Sequence, residues 1–140
     1  MHRETIRLVP KAESAVLFIH GICGTPNHFR DVIPLEERIP DHISVYNLLL
    51  DGHGGTVSDF AASSGRKWSE KVAAVYDTLA KKHKKIYVVG HSMGTLFALQ
   101  LAAAHPEKVK KLFLLAVPIR PCLKPIMVWN VFSLVFGKLH

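Results

Sequence analysis

Residues 86–104 read IYVVGHSMGTLFALQLAAA. The run 86–89 is apolar, β-branched and aromatic, is bounded by Gly90, and reads as a buried strand. Residues 93–104 are apolar nearly all round, which predicts a buried helix, and His105-Pro106 closes it. Between them, Gly90-His91-Ser92-Met93-Gly94 is a G-x-S-x-G turn from strand to helix. Such a turn is tight, so the serine backbone takes an unusual conformation. The positions two before and two after it must lack side chains to let strand and helix approach. The turn lifts the Ser92 hydroxyl above the sheet edge. It also puts the Met93 amide at a helix N-terminus, where an oxyanion can be held.

Outward from this turn, strands and helices alternate. Residues 14–20 contain AVLFIH and end at Gly21, and residues 43–50 end at Asp51-Gly52. Residues 112–117 end at Pro118, and residues 5–9 alternate as an edge strand should. Trp68, Val72, Val75, Tyr76 and Leu79 share one face of a helix, opposite Lys67, Glu70, Lys71 and Lys81. Residues 28–38 form a weaker helix interrupted by Pro34. Buried strands alternating with helices predict an α/β fold, a mostly parallel sheet with helices on both faces. Ligands of such sheets bind beyond the carboxyl ends of the strands, so the residues after each strand carry the chemistry.

Two more stretches follow strands. His20-Gly21-Ile22-Cys23-Gly24-Thr25-Pro26 is a glycine-bearing loop that can present backbone amides unobstructed. If its strand neighbours the Ser92 strand, the Ile22 amide becomes a second oxyanion donor beside Met93. Read alone, the loop is a plain strand–helix turn. Asp51-Gly52-His53-Gly54-Gly55-Thr56 invites a metal or catalytic reading, yet neither HExxH nor a Cys/His cluster accompanies it. It reads as a structural loop forming one wall of a pocket. No metal and no cofactor are expected.

HGICGTP, DGHGGT, Trp68 in the following helix and GHSMG stand in the order and spacing of the α/β-hydrolase superfamily. Across about residues 14–120 the chain resembles bacterial carboxylesterases and monoacylglycerol-lipase-like serine hydrolases. The resemblance implies that Ser92 is the nucleophile and that the Ile22 and Met93 amides form the oxyanion hole. It implies a substrate pocket that includes Gly21, Cys23 and Trp129, structural roles for His20 and His91, and a small-molecule ester as substrate. It also divides the chain into residues 1–118, the N-terminal part of the hydrolase domain, and residues 119–140, the start of a cap. The apolar tail 125–140 is then the first cap helix; its alternative is a membrane-surface helix.

A serine hydroxyl needs a base within hydrogen-bond reach and an acid to orient that base. In this superfamily they follow the serine in the order Asp or Glu, then His. After Ser92 the chain has only Glu107, His105 and His140. The first two lie beyond the helix, roughly 20 Å from Ser92 at 1.5 Å per residue. His140 has no acid to orient it, so neither acid nor base is found in this chain. The sequence therefore reads as the N-terminal half of a hydrolase, with a sheet incomplete on its C-terminal side. Its last strand then presents an exposed apolar edge that favours self-association. A non-catalytic product that binds a ligand or partner through that edge is the alternative; a thioesterase or acyl-transfer role is a third.

The bulk composition agrees with one globular domain. The chain has 140 residues, 49% hydrophobic and 21% charged, too apolar for disorder. Its net charge of +7 is uneven, with −3 over residues 1–63 and +10 over residues 64–140. The densest cluster, Lys81-Lys82-His83-Lys84-Lys85, sits at a helix C-terminus, where the helix dipole favours cations. It lacks the aromatic or arginine pattern of a base reader, so nucleic acid is not an expected partner. No run reaches the length of a membrane span, and Cys23 and Cys122 read as free thiols. A soluble, cytoplasmic protein is expected.

Overall fold

A computed structural model describes residues 3–118. Residues 119–140, with Trp129, Cys122 and the expected cap helix, lie outside the described residues. Five strands form one sheet: β1 (Thr5–Arg7), β2 (Ser14–Ile19), β3 (Ser44–Asn47), β4 (Lys85–His91) and β5 (Val109–Leu115). Their spatial order is β1-β3-β2-β4-β5. β1 runs antiparallel to β3 along the edge, and the other three pairings are parallel. The α/β class and the mostly parallel sheet are as the sequence predicts. The strands that carry HGICGTP and GHSMG, β2 and β4, are neighbours, paired from Ser14 with Lys85 to Ile19 with Gly90.

Side-chain alternation along β2 divides the core into two layers. Ala15, Leu17 and Ile19 pack with Val72, Val75 and Leu79 of α2 (Gly65–Ala80) and with Phe97 and Leu101 of α3 (Gly94–Ala104). Val16 and Phe18 point the other way, against Phe29, Val45 and Val89. The first layer is covered by two regular helices. The second is covered by short turns, a π-helical turn at His28–Val32 and a 3₁₀ turn at Glu36–Arg38. The helix expected over 28–38 is thus broken in two, because Pro34 has no N–H to continue it.

Other boundaries shift for local reasons. The strand expected over 43–50 pairs only as far as Asn47, since its partner β2 ends at Ile19. Leu48 and Leu50 stay buried as the chain leaves the sheet. β5 starts three residues before the expected 112, at Val109, and includes the exposed Lys110 and Lys111. It stops at Leu115 because Ala116 turns the chain with φ 52°. α1 (Val57–Ala61) was not expected from hydrophobic periodicity, being five residues long. Its signal is a capping box, in which the Asp59 amide donates to Thr56 and the Thr56 amide donates to the Asp59 carboxylate. α3 is not buried all round as its sequence predicts: Leu96 and Leu99 face outward. Among the described residues, no helix is long and apolar enough to cross a membrane.

Candidate active site

Ser92 stands between β4 and α3, just beyond the carboxyl end of its strand, and is the residue of that turn with positive φ, 50°. A non-glycine residue in the left-handed region costs about 1 kcal/mol, so the surroundings must hold it there. Two hydrogen bonds do so. The Ser92 amide donates to the Leu115 carbonyl at 2.8 Å. Thr95 Oγ1 donates to the Ser92 carbonyl at 2.6 Å, from a side chain that is fully buried. Thr95 was missed in the sequence; a hydroxyl three residues after the turn serine, able to bond back to its carbonyl, is the available signal.

The two glycines of the turn do different jobs. A methyl group on Gly90 would sit 2.8 Å from the Gly94 carbonyl oxygen and from Thr95 Cα, so Gly90 lets β4 and α3 approach. A methyl group on Gly94 would run into the Ile19 carbonyl oxygen and lie 2.7 Å from that of His20. Gly94 therefore serves the approach of α3 to the neighbouring strand β2, a contact the sequence reading assigned to its own strand.

The same packing brings the HGICGTP loop to the serine. A methyl group on Gly21 would lie 3.0 Å from Ser92 Cβ and 3.1 Å from the His91 carbonyl oxygen. Gly21 and Ser92 are in contact, Ile22 follows at the exposed rim, and Cys23 is a free, exposed thiol with φ 55°. Among the described residues, neither the Ile22 amide nor the Met93 amide donates to a protein acceptor.

A cleft of about 670 Å³ opens alongside, beyond the carboxyl ends of β2 and β3. Cys23, His28 and Val32 line one side, and His53, Val57 and Phe60 the other. The DGHGGT loop forms that second wall, and Gly52 and Gly54 supply its positive φ angles of 71° and 70°. It is fastened from below: Ser63 Oγ donates to the Asp51 carboxylate and Trp68 Nε1 to the Asp51 carbonyl, at 2.6 and 2.9 Å. Of the expected pocket residues, Cys23 lines this cleft, Gly21 packs against Ser92 and, like Ser92, Ile22 and Met93, is not in the cleft's lining, and Trp129 lies outside the described residues.

Four histidines surround this region. His20 is fully buried, and desolvation pushes its pKa down to about 4. The His28 and His91 rings pack with centroids 4.0 Å apart, tilted by 33°, and burial lowers both pKa values. His53 packs among His20, Phe60 and Trp68 and bonds through Nδ1 to the Asp51 carbonyl at 3.0 Å. His105 is elsewhere: it ends α3 and stacks on Tyr76. Among the described residues no group of three or more His, Cys, Asp or Glu side chains could hold a metal ion.

The geometry has close counterparts. A family model described as the alpha/beta hydrolase fold matches residues 14–139, and the chain belongs to that family. A thermostable monoacylglycerol lipase of Bacillus sp. (strain H-257) is 34% identical over 93 residues, 66% of this chain and 36% of the lipase. A pimeloyl-[acyl-carrier protein] methyl ester esterase of Neisseria meningitidis serogroup C is 36% identical over 110 residues, 77% of this chain and 38% of the esterase. The chain thus spans well under half the length of these relatives. A solved structure of the metagenome-derived lipolytic enzymes LipS and LipT matches with TM-score 0.73 at 22% identity, covering 99% of this chain and 53% of that one. The haloalkane dehalogenase DatA of Agrobacterium tumefaciens C58 matches with TM-score 0.66 at 20% identity, covering 86% of this chain and 41% of that one. At such identities the structural matches speak for the fold alone.

Proposed function

We propose that the protein is a serine hydrolase that cleaves carboxylic esters through an acyl-serine intermediate, of the carboxylesterase or monoacylglycerol-lipase kind. Ser92 Oγ attacks the ester carbonyl carbon, and the carbonyl π pair moves onto oxygen. The Ile22 and Met93 amides hold that oxyanion, each worth a few kcal/mol. Collapse expels the alcohol, and water then releases the acid. The base that takes the Ser92 proton, and the acid that orients the base, come from sequence outside residues 3–118. The observation that carries this reading is the strained Ser92 turn with Gly21 packed on it, near Ile22 and Met93 amides that donate to no acceptor among the described residues. The names of the curated relatives, a lipase and a methyl ester esterase, support the ester as substrate class. The free thiol of Cys23 fits a cytoplasmic setting.

In the whole gene product, Ser92→Ala should lower kcat for p-nitrophenyl butyrate about a millionfold. Undiminished turnover in that variant would overturn the assignment. One observation favours a second reading, a non-catalytic binding product. His105 and Glu107 follow α3, whose 11 residues separate them from the Ser92 turn, so no acid–histidine pair stands beside Ser92 among the described residues. A gene product with no further Asp and His after residue 140 would favour it.

A further inference from the structure

The amino ends of β2, β4 and β5 lie side by side, because the three strands are parallel neighbours. That end of the sheet is opposite the Ser92 turn and gathers lysines from three connections. Lys11 precedes β2, Lys81, Lys82, Lys84 and Lys85 join α2 to β4, and Lys108, Lys110 and Lys111 stand at the start of β5. The amides of Lys84 and Lys85 both donate to the Glu13 carbonyl, at 2.9 and 3.0 Å, which ties the second connection to the start of β2. The Ile86 amide donates to the Lys108 carbonyl at 2.9 Å and carries the row on to β5.

The fold itself uses few of these charges. The dipole of α2, which favours a cation at its carboxyl end, is answered by Lys108. Its Nζ donates to the Ala80 carbonyl and, at 3.2 Å, to that of His83. Lys84 pairs with Glu13 at 2.9 Å, and Glu107 is the other acid in these connections. Lys11, Lys81, Lys82, Lys85, Lys110 and Lys111 are exposed and form no ion pair among the described residues. Like charges so placed repel one another and work against the compact state. Lys11 adds backbone strain. It sits in a turn closed by the Ala12 amide on the Val9 carbonyl, with φ 61°, at a position that favours glycine. Lys11 and Lys82 line one groove of about 410 Å³ together with Leu8, Val9 and Pro10.

We propose that this end of the protein is a docking surface for an anionic lipid bilayer, held through Lys11, Lys81, Lys82, Lys85, Lys110 and Lys111. The residue types choose the partner. Fixed bidentate recognition of a carboxylate or phosphate uses the arginine fork, whereas a lysine ammonium is a hydrated point charge on a flexible stem. The unpaired cations here are all lysines, spread over three connections. That arrangement suits a diffuse field of headgroups better than the fixed carboxylates of an acidic protein. A nucleic-acid strand would call for stacking rings, and these connections contain no Phe, Tyr or Trp. The contact is peripheral, since no helix among the described residues is long and apolar enough to cross a membrane. Ser92, at the far end of the seven-residue β4 and so about 20 Å away, then faces water.

Vesicle flotation tests this, because aggregates of the chain do not rise with the lipid. The full chain is floated with phosphatidylcholine vesicles that contain either no anionic lipid or about 30% phosphatidylglycerol. We expect binding to the anionic vesicles alone, and its loss at about 0.5 M salt, where charges are screened within a few ångströms. Each lysine near an anionic surface contributes about fivefold, so Lys82→Glu/Lys110→Glu should weaken binding at least about 20-fold. Arg66→Glu/Lys67→Glu changes the net charge equally at the other end of α2 and should weaken binding less than about threefold. No flotation with anionic vesicles, equal flotation with neutral ones, or equal losses in the two variants would overturn the proposal. Polyglutamate that binds the chain when anionic vesicles do not would also overturn it, in favour of an acidic protein partner. If Lys82→Glu/Lys110→Glu does not fold, the wild type decides: flotation that survives about 0.5 M salt refutes an electrostatic surface. None of these outcomes depends on the reading of Ser92.

Discussion

Ser92 keeps a left-handed backbone because the turn around it is fastened at both ends, by Leu115 and by Thr95. The strain is separable from the hydroxyl. Ser92→Gly relieves it and Ser92→Ala does not, so urea unfolding should find the glycine variant about 1 kcal/mol more stable than the alanine variant. Equal stabilities would mean that the turn stores no strain. His20 adds a pH dependence. Its folded pKa of about 4 lies below the ordinary 6.5, so between these values the unfolded chain binds a proton that the folded chain does not. Stability should therefore fall as pH drops from 6.5 towards 4, by on the order of 3 kcal/mol from this residue. His28 and His91, lowered chiefly by desolvation, add to it in the same direction. Urea midpoints at pH 7 and pH 4.5 read this, and His20→Asn should flatten the slope. A midpoint that does not move between the two pH values would contradict the burial of a neutral ring.

At the scale of elements, the junction of α3 with β2 is the closest contact in the site. Gly94→Ala places a methyl group against the Ile19 and His20 carbonyls and should cost about 3 kcal/mol, read as a lower urea midpoint. A neutral substitution would mean that α3 can draw back from the sheet. The elements that build this junction were legible because each carries a strong local signal. β2 and β4 are short apolar runs closed by Gly21 and Gly90, and α2 repeats Val72, Val75, Tyr76 and Leu79 on one face. What escaped was set by tertiary partners. β5 starts with Val109-Lys110-Lys111, and its two exposed lysines are what an apolar-run reading discards. α1 is too short for periodicity and announces itself only through Thr56 and Asp59. Ser92, Gly21 and the loops were readable as motifs. Thr95 and the hydrogen bond from the Leu50 amide to His20 Nε2 became visible only when β2, β3 and β4 were placed side by side.

Over the whole molecule, the two sides of the sheet are finished differently. β1 closes one edge, with Arg7 paired to Asp41 and Glu4 accepting from Lys71 and Tyr46. At the other side β5 pairs with β4 alone among the described residues, and its own Phe113 is 53% exposed. An unpaired edge flanked by an aromatic ring favours association. We expect the 140-residue chain to elute above monomer size at micromolar concentration, and Phe113→Lys to shift it towards monomer. A sharp monomer peak for the wild type would count against this. Fold and family leave the reaction open, since a dehalogenase shares the architecture with the esterases and lipases. The central claim is narrower: one serine, held in a strained turn near the Ile22 and Met93 amides, is the nucleophile. Its most direct test is to incubate the whole gene product, which supplies the base and acid, with a fluorophosphonate and locate the adduct by peptide mass spectrometry. The account predicts a single adduct on Ser92, absent from Ser92→Ala. An adduct that persists in Ser92→Ala, or one carried by Cys23 in place of Ser92, would contradict it.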